Sequence, residues 1–410
     1  MRPRPLGDIY PWMTKTHAEK APKMKRLASK RSEIPSFIAM DMMREAAALE
    51  ASGRSVIHME IGQPGTPAPL PAREAARSAL ESERLGYTNA LGVDALRERI
   101  ASSYASRYGV AVDPARVILS TGSSAAFMLA FLAVFDAGDA VALPSPGYPC
   151  YRHILSALGC RSPLIETGPE DRFMPTARAL EALDGGRDLS GMMLASPANP
   201  TGTMIERARF KELAEYCDRR GLWLISDEIY HGLTYEEDAA TALEFSEQAI
   251  VINSFSKYYS MTGWRIGWLI VPEPLVRVIE RLQQNLFISA PTLSQLAAIG
   301  ALDADDELEQ NRRVYEANRA YLLDALPSVG LGEMAPPDGA FYLYVDVSKY
   351  TSDSRAFALE MLREIGVAAT PGLDFDEERG QRFLRFSYSG TPEEMREAVR
   401  RLGEWEGLRR

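Results

Sequence analysis

The sequence contains few cysteines and few histidines, and neither residue type is clustered. Its 410 residues include three cysteines and four histidines. An odd number of cysteines without a CxxC spacing argues against a disulfide framework and favours reduced thiols in a cytoplasmic protein. Because the histidines are scattered and match no metal-ligand spacing, we expect no metal site.

Basic residues and long apolar runs are also scarce. Asp and Glu outnumber Lys and Arg by 56 to 46, so the net charge is -10. A nucleic-acid binder usually presents a basic face, and this composition argues against one. The longest apolar run, residues 125–135, is too short to span a bilayer and favours a buried helix. We therefore expect neither nucleic acid nor membrane among the partners.

The N-terminal segment differs in composition from the rest of the chain. Residues 1–31 contain nine Lys or Arg residues but only two acidic ones, Asp8 and Glu19. They lack the apolar stretch of a secretory signal. We expect a disordered or loosely docked arm over residues 1–32, with a transit peptide or a misplaced start codon as alternatives.

Short apolar runs alternate with helical patterns through the middle of the chain. Near-continuous apolar runs are typical of strands buried on both faces of a mostly parallel sheet. Such runs occupy residues 117–120, 140–144, 192–195, 222–226 and 250–253. The alternation predicts an α/β fold with helices on both faces of the sheet, and ligands of such sheets bind at the carboxyl ends of the strands.

The pattern changes near residue 303. The predicted elements beyond it are a charged helix, a strand, a helix, two strands and a final helix, at residues 305–325, 339–345, 354–365, 366–370, 383–387 and 391–402. Thr391 and Glu394 form a capping box at the start of the last helix. We predict a smaller α+β domain formed by residues 33–70 and 303–410, beside a large domain formed by residues 71–302.

Residues 254–267 carry the main chemical signal. Lys257 follows an apolar strand, lies among hydroxyl residues and precedes Arg265 by eight positions. Partial burial and nearby cations lower a lysine pKa, which makes the amine a nucleophile near neutral pH. Arg265, Ser254 and Ser256 offer charge-assisted hydrogen bonds to a phosphate. A lysine taken alone is more often a surface residue.

This segment resembles the lysine motif of the class I/II aminotransferases that depend on pyridoxal 5'-phosphate (PLP), the fold-type I enzymes similar to aspartate aminotransferase. Further motifs follow in order from about residue 33 to residue 400. The resemblance implies that the large domain binds PLP through a Schiff base with Lys257. It also implies transfer of an amino group between an α-amino acid and a 2-oxo acid (EC 2.6.1.-).

Polar residues after two of the predicted strands match cofactor contacts of this family. Asp227 follows the strand at 222–226, where an aspartate is often only a helix N-cap. The resemblance implies that it pairs with the protonated pyridine nitrogen, which makes the ring an electron sink. Tyr230 and Asn199 match residues that contact the phenolic oxygen, and Asn199 is also expected to contact substrate. Lys257, Asp227 and Tyr230 form the predicted catalytic set.

Other matching residues concern the phosphate and the ring of the cofactor. Ser123 and Ser124 open the apolar helix after the first predicted strand, where free backbone amides favour anions. The resemblance assigns both serines to the phosphate, together with the group at 254–265. Tyr148 matches the aromatic residue that stacks on the pyridine ring, although its proline-rich context is also typical of a core aromatic.

Three positions concern substrate and assembly. Arg385 lies within an apolar strand, where it needs either a substrate carboxylate or a structural ion pair. The resemblance implies that Arg385 and the backbone of Gly62 hold the substrate α-carboxylate. It further implies that Tyr87 reaches the phosphate of the neighbouring subunit, which requires a homodimer with a shared active site.

Two other functions fit part of this pattern. A carbon–sulfur lyase or a related fold-type I enzyme shares the cofactor residues, and only steady amino transfer to a 2-oxo acid distinguishes it. A regulator that binds PLP without catalysis needs a DNA-binding domain, and about thirty residues ahead of the family-like region are too few.

The resemblance also implies that the largely apolar segment 34–38 lies near the substrate side chain. Some relatives that act on aspartate hold its distal carboxylate with a lysine at the start of the phosphate-binding helix, where this sequence has residues 124–126 without a lysine. We therefore expect neutral or aromatic donors to be preferred over aspartate, unless an arginine from elsewhere takes that role.

Overall fold

The computed structural model describes residues 28–185 and 188–409. The predicted N-terminal arm therefore lies largely outside the described residues. Its last described part, residues 28–32, is exposed and contains one 3₁₀ turn, Lys30–Ser32. None of the helices in the described ranges has both the length and the apolar character needed to cross a bilayer.

The helices and strands of the described residues are numbered separately along the chain. The α-helices are α1 Ile38–Ala51, α2 Leu70–Ser82, α3 Asp94–Tyr108, α4 Gly122–Val134, α5 Pro149–Leu158, α6 Ala177–Asp184, α7 Arg207–Arg220, α8 Glu273–Leu286, α9 Thr292–Ala301, α10 Asp305–Ser328, α11 Ser354–Ile365 and α12 Pro392–Glu404. The strands are β1 Ile57–His58, β2 Val117–Ser120, β3 Val141–Ser145, β4 Leu164–Glu166, β5 Gly191–Ala195, β6 Trp223–Asp227, β7 Ile250–Ser254, β8 Gly267–Ile270, β9 Tyr342–Asp346, β10 Val367–Ala368, β11 Thr370–Pro371 and β12 Phe383–Ser387.

A seven-stranded sheet forms the centre of the molecule, in the order β2-β8-β7-β6-β5-β3-β4. Strand β8 is antiparallel to both of its neighbours, and the other pairs are parallel. This confirms the predicted α/β class and mostly parallel sheet. The five strands predicted for this region are all present, each with its ends within one residue of the prediction.

The sheet is covered on both faces because successive side chains of its strands point in opposite directions. In β2, Val117 and Leu119 enter one hydrophobic core, whereas Ile118 enters the other. Helices α3, α7 and α9 contribute to the first core, and α4 and α8 contribute to the second. These two layers explain why the strand sequences are almost continuously apolar.

A second, smaller group of elements packs around its own core. It contains the antiparallel sheet β11-β12-β9, the parallel pair β1 and β10, and helices α1, α10, α11 and α12. The strand predicted at 366–370 is wrong as a single element, since Ala369 separates β10 and β11, which belong to different sheets. The capping box of Thr391 and Glu394 is confirmed.

We propose that the two cores correspond to the predicted domains, residues 71–302 and residues 33–70 with 303–410. The hydrophobic clusters support this division, because the smaller core draws mainly on residues before 60 and after 314. Tyr230 and its neighbours Ile229 and Leu233 also pack into the smaller core, so the loop after β6 joins the two groups.

Helix α1 depends on a distant residue for its start. The buried carboxylate of Asp374 accepts hydrogen bonds from the backbone amides of Ile38 and Ala39, at 3.1 and 3.0 Å. Its N-cap, Phe37, makes no side-chain cap of its own. The start of α1 is therefore fixed to the 3₁₀ turn that follows β11.

We predict that Asp374→Ala lowers the free energy of unfolding by about 1–2 kcal/mol, because two amides lose their acceptor. Urea denaturation would measure this loss, and limited proteolysis should show new cleavage near residue 38. Asp353→Ala is a matched control, since Asp353 caps α11 locally with bonds of 3.1 and 3.0 Å. Equal cleavage near residue 38 in both variants would contradict the assignment.

Candidate active site

The carboxyl ends of the parallel strands bring the predicted site residues to one edge of the central sheet. Ser120 ends β2, Asp227 ends β6 and Ser254 ends β7. Asn199 lies in the loop after β5. Arg385, in β12, reaches the same place from the smaller sheet, where it contacts Asn199. The cleft between the two cores is therefore the candidate active site.

Lys257 lies in the turn after β7, partly buried, and its Nζ donates a hydrogen bond to the backbone carbonyl of Gly62. No carboxylate of the described residues forms an ion pair with it. Burial lowers the pKa of Lys257 to about 8, with a further contribution from the cation of Arg385. Its amine is therefore neutral in a substantial fraction of molecules at mildly alkaline pH, as a nucleophile requires.

Asp227 is 4% exposed, and both of its carboxylate oxygens accept hydrogen bonds. Oδ1 accepts from the backbone amide of Ile229 at 3.1 Å, and Oδ2 accepts from the phenol of Tyr151. Burial raises the pKa of Asp227 to about 6, while the Tyr151 and Ile229 hydrogen bonds favour the ionised form. The carboxylate is therefore mostly ionised at neutral pH, although it is buried.

Tyr230 and Tyr342 form one wall of the cleft. Their hydroxyl groups are hydrogen-bonded at 2.8 Å, and both rings are buried. Gly62 lies against this pair, because a Cβ added there would be 1.8 Å from Oη of Tyr342. The absence of a side chain at Gly62 thus leaves room for the phenol of Tyr342, while the carbonyl of Gly62 lies close to Lys257.

Arg385 is 2% exposed and has no carboxylate partner among the described residues. Its Nη1 donates to Oδ1 of Asn199 at 2.8 Å, and its Nη2 donates to the backbone oxygen of Glu60. Its Nε has no hydrogen-bond partner in the described chain. The guanidinium also stacks on the ring of Tyr342, at 4.4 Å from the centroid. A buried cation with an open donor suits a carboxylate ligand better than a structural ion pair.

The start of α4 is suited to bind a phosphate. Its N-cap, Thr121, makes no side-chain cap, so the first backbone amides stay available next to Ser123 and Ser124. An added Cβ on Gly122 would lie 2.5 Å from Nη2 of Arg265, which places that guanidinium against the helix start. The hydroxyls of Ser254 and Ser256 lie at the end of β7 and are joined at 2.9 Å.

Tyr148 lies beside the site between two other aromatic rings. Its ring meets Phe37 edge to face at 5.8 Å and Tyr151 at 5.2 Å. The segment before α1 therefore lies beside Tyr148. Tyr87 is different, because it is 88% exposed and, within the described residues, makes no hydrogen bond or ring contact with the other predicted site residues of its own chain.

Sequence reasoning missed two residues of the site, Tyr151 and Tyr342. Tyr151 is 76 positions from the carboxylate that it contacts, and Tyr342 is 112 positions from Tyr230. Tyr342 was predicted only as part of a strand. The apolar, aromatic stretch around each residue signals a buried element, but nothing local indicates where the hydroxyl group points.

Comparisons with known proteins agree with this geometry. The family model described as aminotransferase class I and II matches residues 54–402. The valine–pyruvate aminotransferase of Mycobacterium tuberculosis is 48% identical over 92% of this chain and 97% of that protein. The aspartate aminotransferase of Thermotoga maritima is 31% identical over 91% and 97%. A crystal structure of an aminotransferase from M. tuberculosis superposes with a TM-score of 0.91 at 48% identity, over 93% and 99%.

The chain belongs to the class I and II aminotransferases. These relatives confirm the predicted family, its fold-type I architecture and its activity, the transfer of an amino group between an amino acid and a 2-oxo acid. They do not favour the carbon–sulfur lyase or the regulatory alternative. Aminotransferases of this family use pyridoxal phosphate, and the residues around Lys257 fit that group: a helix start with hydroxyl groups for the phosphate, a mostly ionised aspartate and an amine of lowered pKa.

We predict that Gly62→Ala displaces Tyr342 and lowers both stability and activity. Overpacking of this kind lowers the free energy of unfolding by about 1–3 kcal/mol. Displacement of Tyr342 and its partner Tyr230 should reduce kcat/KM by about tenfold or more. Denaturation and steady-state kinetics measure the two effects. Gly185→Ala is the control, because its added Cβ has no neighbour nearer than 3.4 Å. A Gly62→Ala enzyme indistinguishable from that control would contradict this account of the wall.

Proposed function

We propose that this aminotransferase binds pyridoxal phosphate through Lys257 and takes its amino group from apolar amino acids, with a small 2-oxo acid as acceptor. The observation that carries the cofactor assignment is the partly buried amine of Lys257, which has a lowered pKa and no carboxylate partner in the described chain. Bound pyridoxal phosphate would supply an aldehyde that condenses with amines and a ring that accepts the electron pair released at the substrate α-carbon.

The side chains of the site would bind the substrate, transfer the proton and position the cofactor. Arg385 binds the α-carboxylate through its guanidinium, and Asn199 and Gly62 border the same position. Lys257, once its amine is free, takes the proton from the substrate α-carbon and returns it as general acid. Ionised Asp227 holds a proton on the pyridine nitrogen. Tyr230 and Asn199 lie on the side expected for the phenolic oxygen.

The phosphate would bind at the start of α4. Ser123 and Ser124 offer amides and hydroxyls, and Ser254, Ser256 and Arg265 supply further donors and a positive charge. Tyr148 would stack on the ring. We also propose a cytoplasmic homodimer in which Tyr87 of each subunit completes the phosphate site of the other, which agrees with its 88% exposure in the single chain.

The apolar donor is supported by the border of the cleft. Phe37 packs against Tyr148, and the start of α4 presents Ser124 and Ala125 in place of a lysine. The similarity to a valine–pyruvate aminotransferase points in the same direction. Relatives named for aspartate are more distant, at 31% identity for the one from T. maritima.

We predict that Lys257→Ala leaves a folded protein without turnover, because no other lysine of the described residues lies in the proposed cofactor site. Borohydride reduction of the protein mixed with pyridoxal phosphate should label Lys257, and peptide mass spectrometry locates the label. Lys211→Ala is the control, since Lys211 is an exposed lysine 3.8 Å from Glu215. Labelling at another lysine in the wild type would disprove the assignment.

We also predict that valine, methionine or phenylalanine is preferred over aspartate as donor. A second carboxylate buried without a partner costs several kcal/mol, which corresponds to about a hundredfold or more in kcat/KM. Burial of an apolar side chain gains about 25 cal/mol per Å². The test compares kcat/KM for these donors and alanine with one common 2-oxo acid. If aspartate proved the best donor, the proposed specificity would be wrong.

A further inference from the structure

The hydrogen bond between Tyr151 and Asp227 lies behind the proposed cofactor site. Tyr151 is in the first turn of α5, is 6% exposed, and donates its phenolic proton to Oδ2 of Asp227. The other oxygen of the carboxylate, Oδ1, accepts from the Ile229 amide, its one donor among the described residues. Two donors thus support a carboxylate that is 4% exposed and would otherwise be costly to ionise.

The ring of Tyr151 has little freedom to turn away. It meets Phe127 edge to face at 5.1 Å and Tyr148 at 5.2 Å. The helix that carries it begins at Pro149, directly after the proposed stacking residue Tyr148. One short segment therefore fixes both the ring expected over the pyridine and the hydroxyl that contacts Asp227.

We propose that Tyr151 is a positioning residue, whose hydroxyl keeps Asp227 ionised and directed at the pyridine nitrogen of the cofactor. The proposal rests on the proposed function of Asp227. A phenylalanine would fill the same volume, so packing alone does not require the hydroxyl. The phenol remains a donor throughout the working pH range, because burial and the neighbouring Asp227 raise the pKa of Tyr151 well above its usual value.

The other charged and titratable groups near Asp227 are accounted for. Lys257 favours its ionised form, and Tyr148, Tyr151 and Tyr230 face it as neutral phenols. Burial acts in the opposite direction and raises the pKa of Asp227 to about 6. Loss of the Tyr151 hydrogen bond should raise the pKa of Asp227 further. Because Asp227 must lose its proton before it can pair with the pyridine nitrogen, the variant should need a higher pH than wild type to bind the cofactor tightly.

The experiment measures the affinity of apo-protein for pyridoxal phosphate between pH 5.5 and 8.5, for wild type and Tyr151→Phe. In wild type, affinity should fall at low pH as Asp227 becomes protonated, which is the acid limb of the plot of affinity against pH. We expect this acid limb to lie about one pH unit higher in the variant, and one unit in the pKa of Asp227 corresponds to about 1.4 kcal/mol. The variant should then bind about fivefold more weakly at pH 6 and equally well at pH 8.5. Lys257 and the cofactor titrate in both proteins, so the ratio of the two affinities reports on Asp227.

Tyr216→Phe is the matched control. Tyr216 is also buried and donates to a buried carboxylate, Asp184, at 2.8 Å, but it lies outside the site. Loss of the Tyr216 hydroxyl should lower thermal stability without any pH-dependent change in the affinity for pyridoxal phosphate. In an Asp227→Asn background, the further change Tyr151→Phe should not move the acid limb, because the titrating group is gone.

The outcomes separate this inference from the proposed function. Unshifted binding by Tyr151→Phe, or binding weakened by the same factor at every pH, would show that Tyr151 is only a packing residue. A shift that persists in the Asp227→Asn background would also overturn the inference. Wild-type protein that fails to bind pyridoxal phosphate at all would overturn the inference and the proposed cofactor together.

Discussion

The burial of two cations beside one anion is the constraint on which the site depends. Lys257, Arg385 and Asp227 all lie in the same cleft, and Arg385 and Asp227 are almost inaccessible to solvent. The described residues offer neither Lys257 nor Arg385 a carboxylate at ion-pair distance. An unpaired buried charge is destabilising, so such an arrangement persists where ligands complete it. The substrate carboxylate and the cofactor phosphate proposed above are anions that would complete it.

The topology of the central sheet explains how these groups meet. Parallel strands present their carboxyl ends at one edge, so Ser120, Asp227 and Ser254 approach one another although the chain between them is long. Strand β8 is antiparallel, and the connection from Ser254 to Gly267 therefore begins and ends at that same edge. The loop that carries Lys257 and Arg265 is thus held at both ends directly above the cleft.

The sequence predicts well those features that arise from local patterns. Runs of apolar residues located five of the seven strands of the central sheet, and the motif around Lys257 and Arg265 indicated the proposed cofactor site. The three-residue strand β4 was not predicted. Strand β8 was not predicted, because the alternation of strands and helices indicates parallel crossovers and β8 follows β7 without an α-helix between them. The Tyr151–Asp227 and Tyr230–Tyr342 hydrogen bonds are also beyond local patterns, since each joins elements far apart in the chain.

The tyrosines of the cleft illustrate why aromatic phenols suit this position. Each ring buries a large apolar area, while its hydroxyl reaches a polar group without adding a charge. Tyr342 uses both properties, because its ring stacks on Arg385 and its hydroxyl bonds to Tyr230. Tyr151 combines a ring packed on Phe127 with a hydroxyl on Asp227. Neutral donors of this kind stabilise buried ions from behind and leave the face toward the cleft free for ligands.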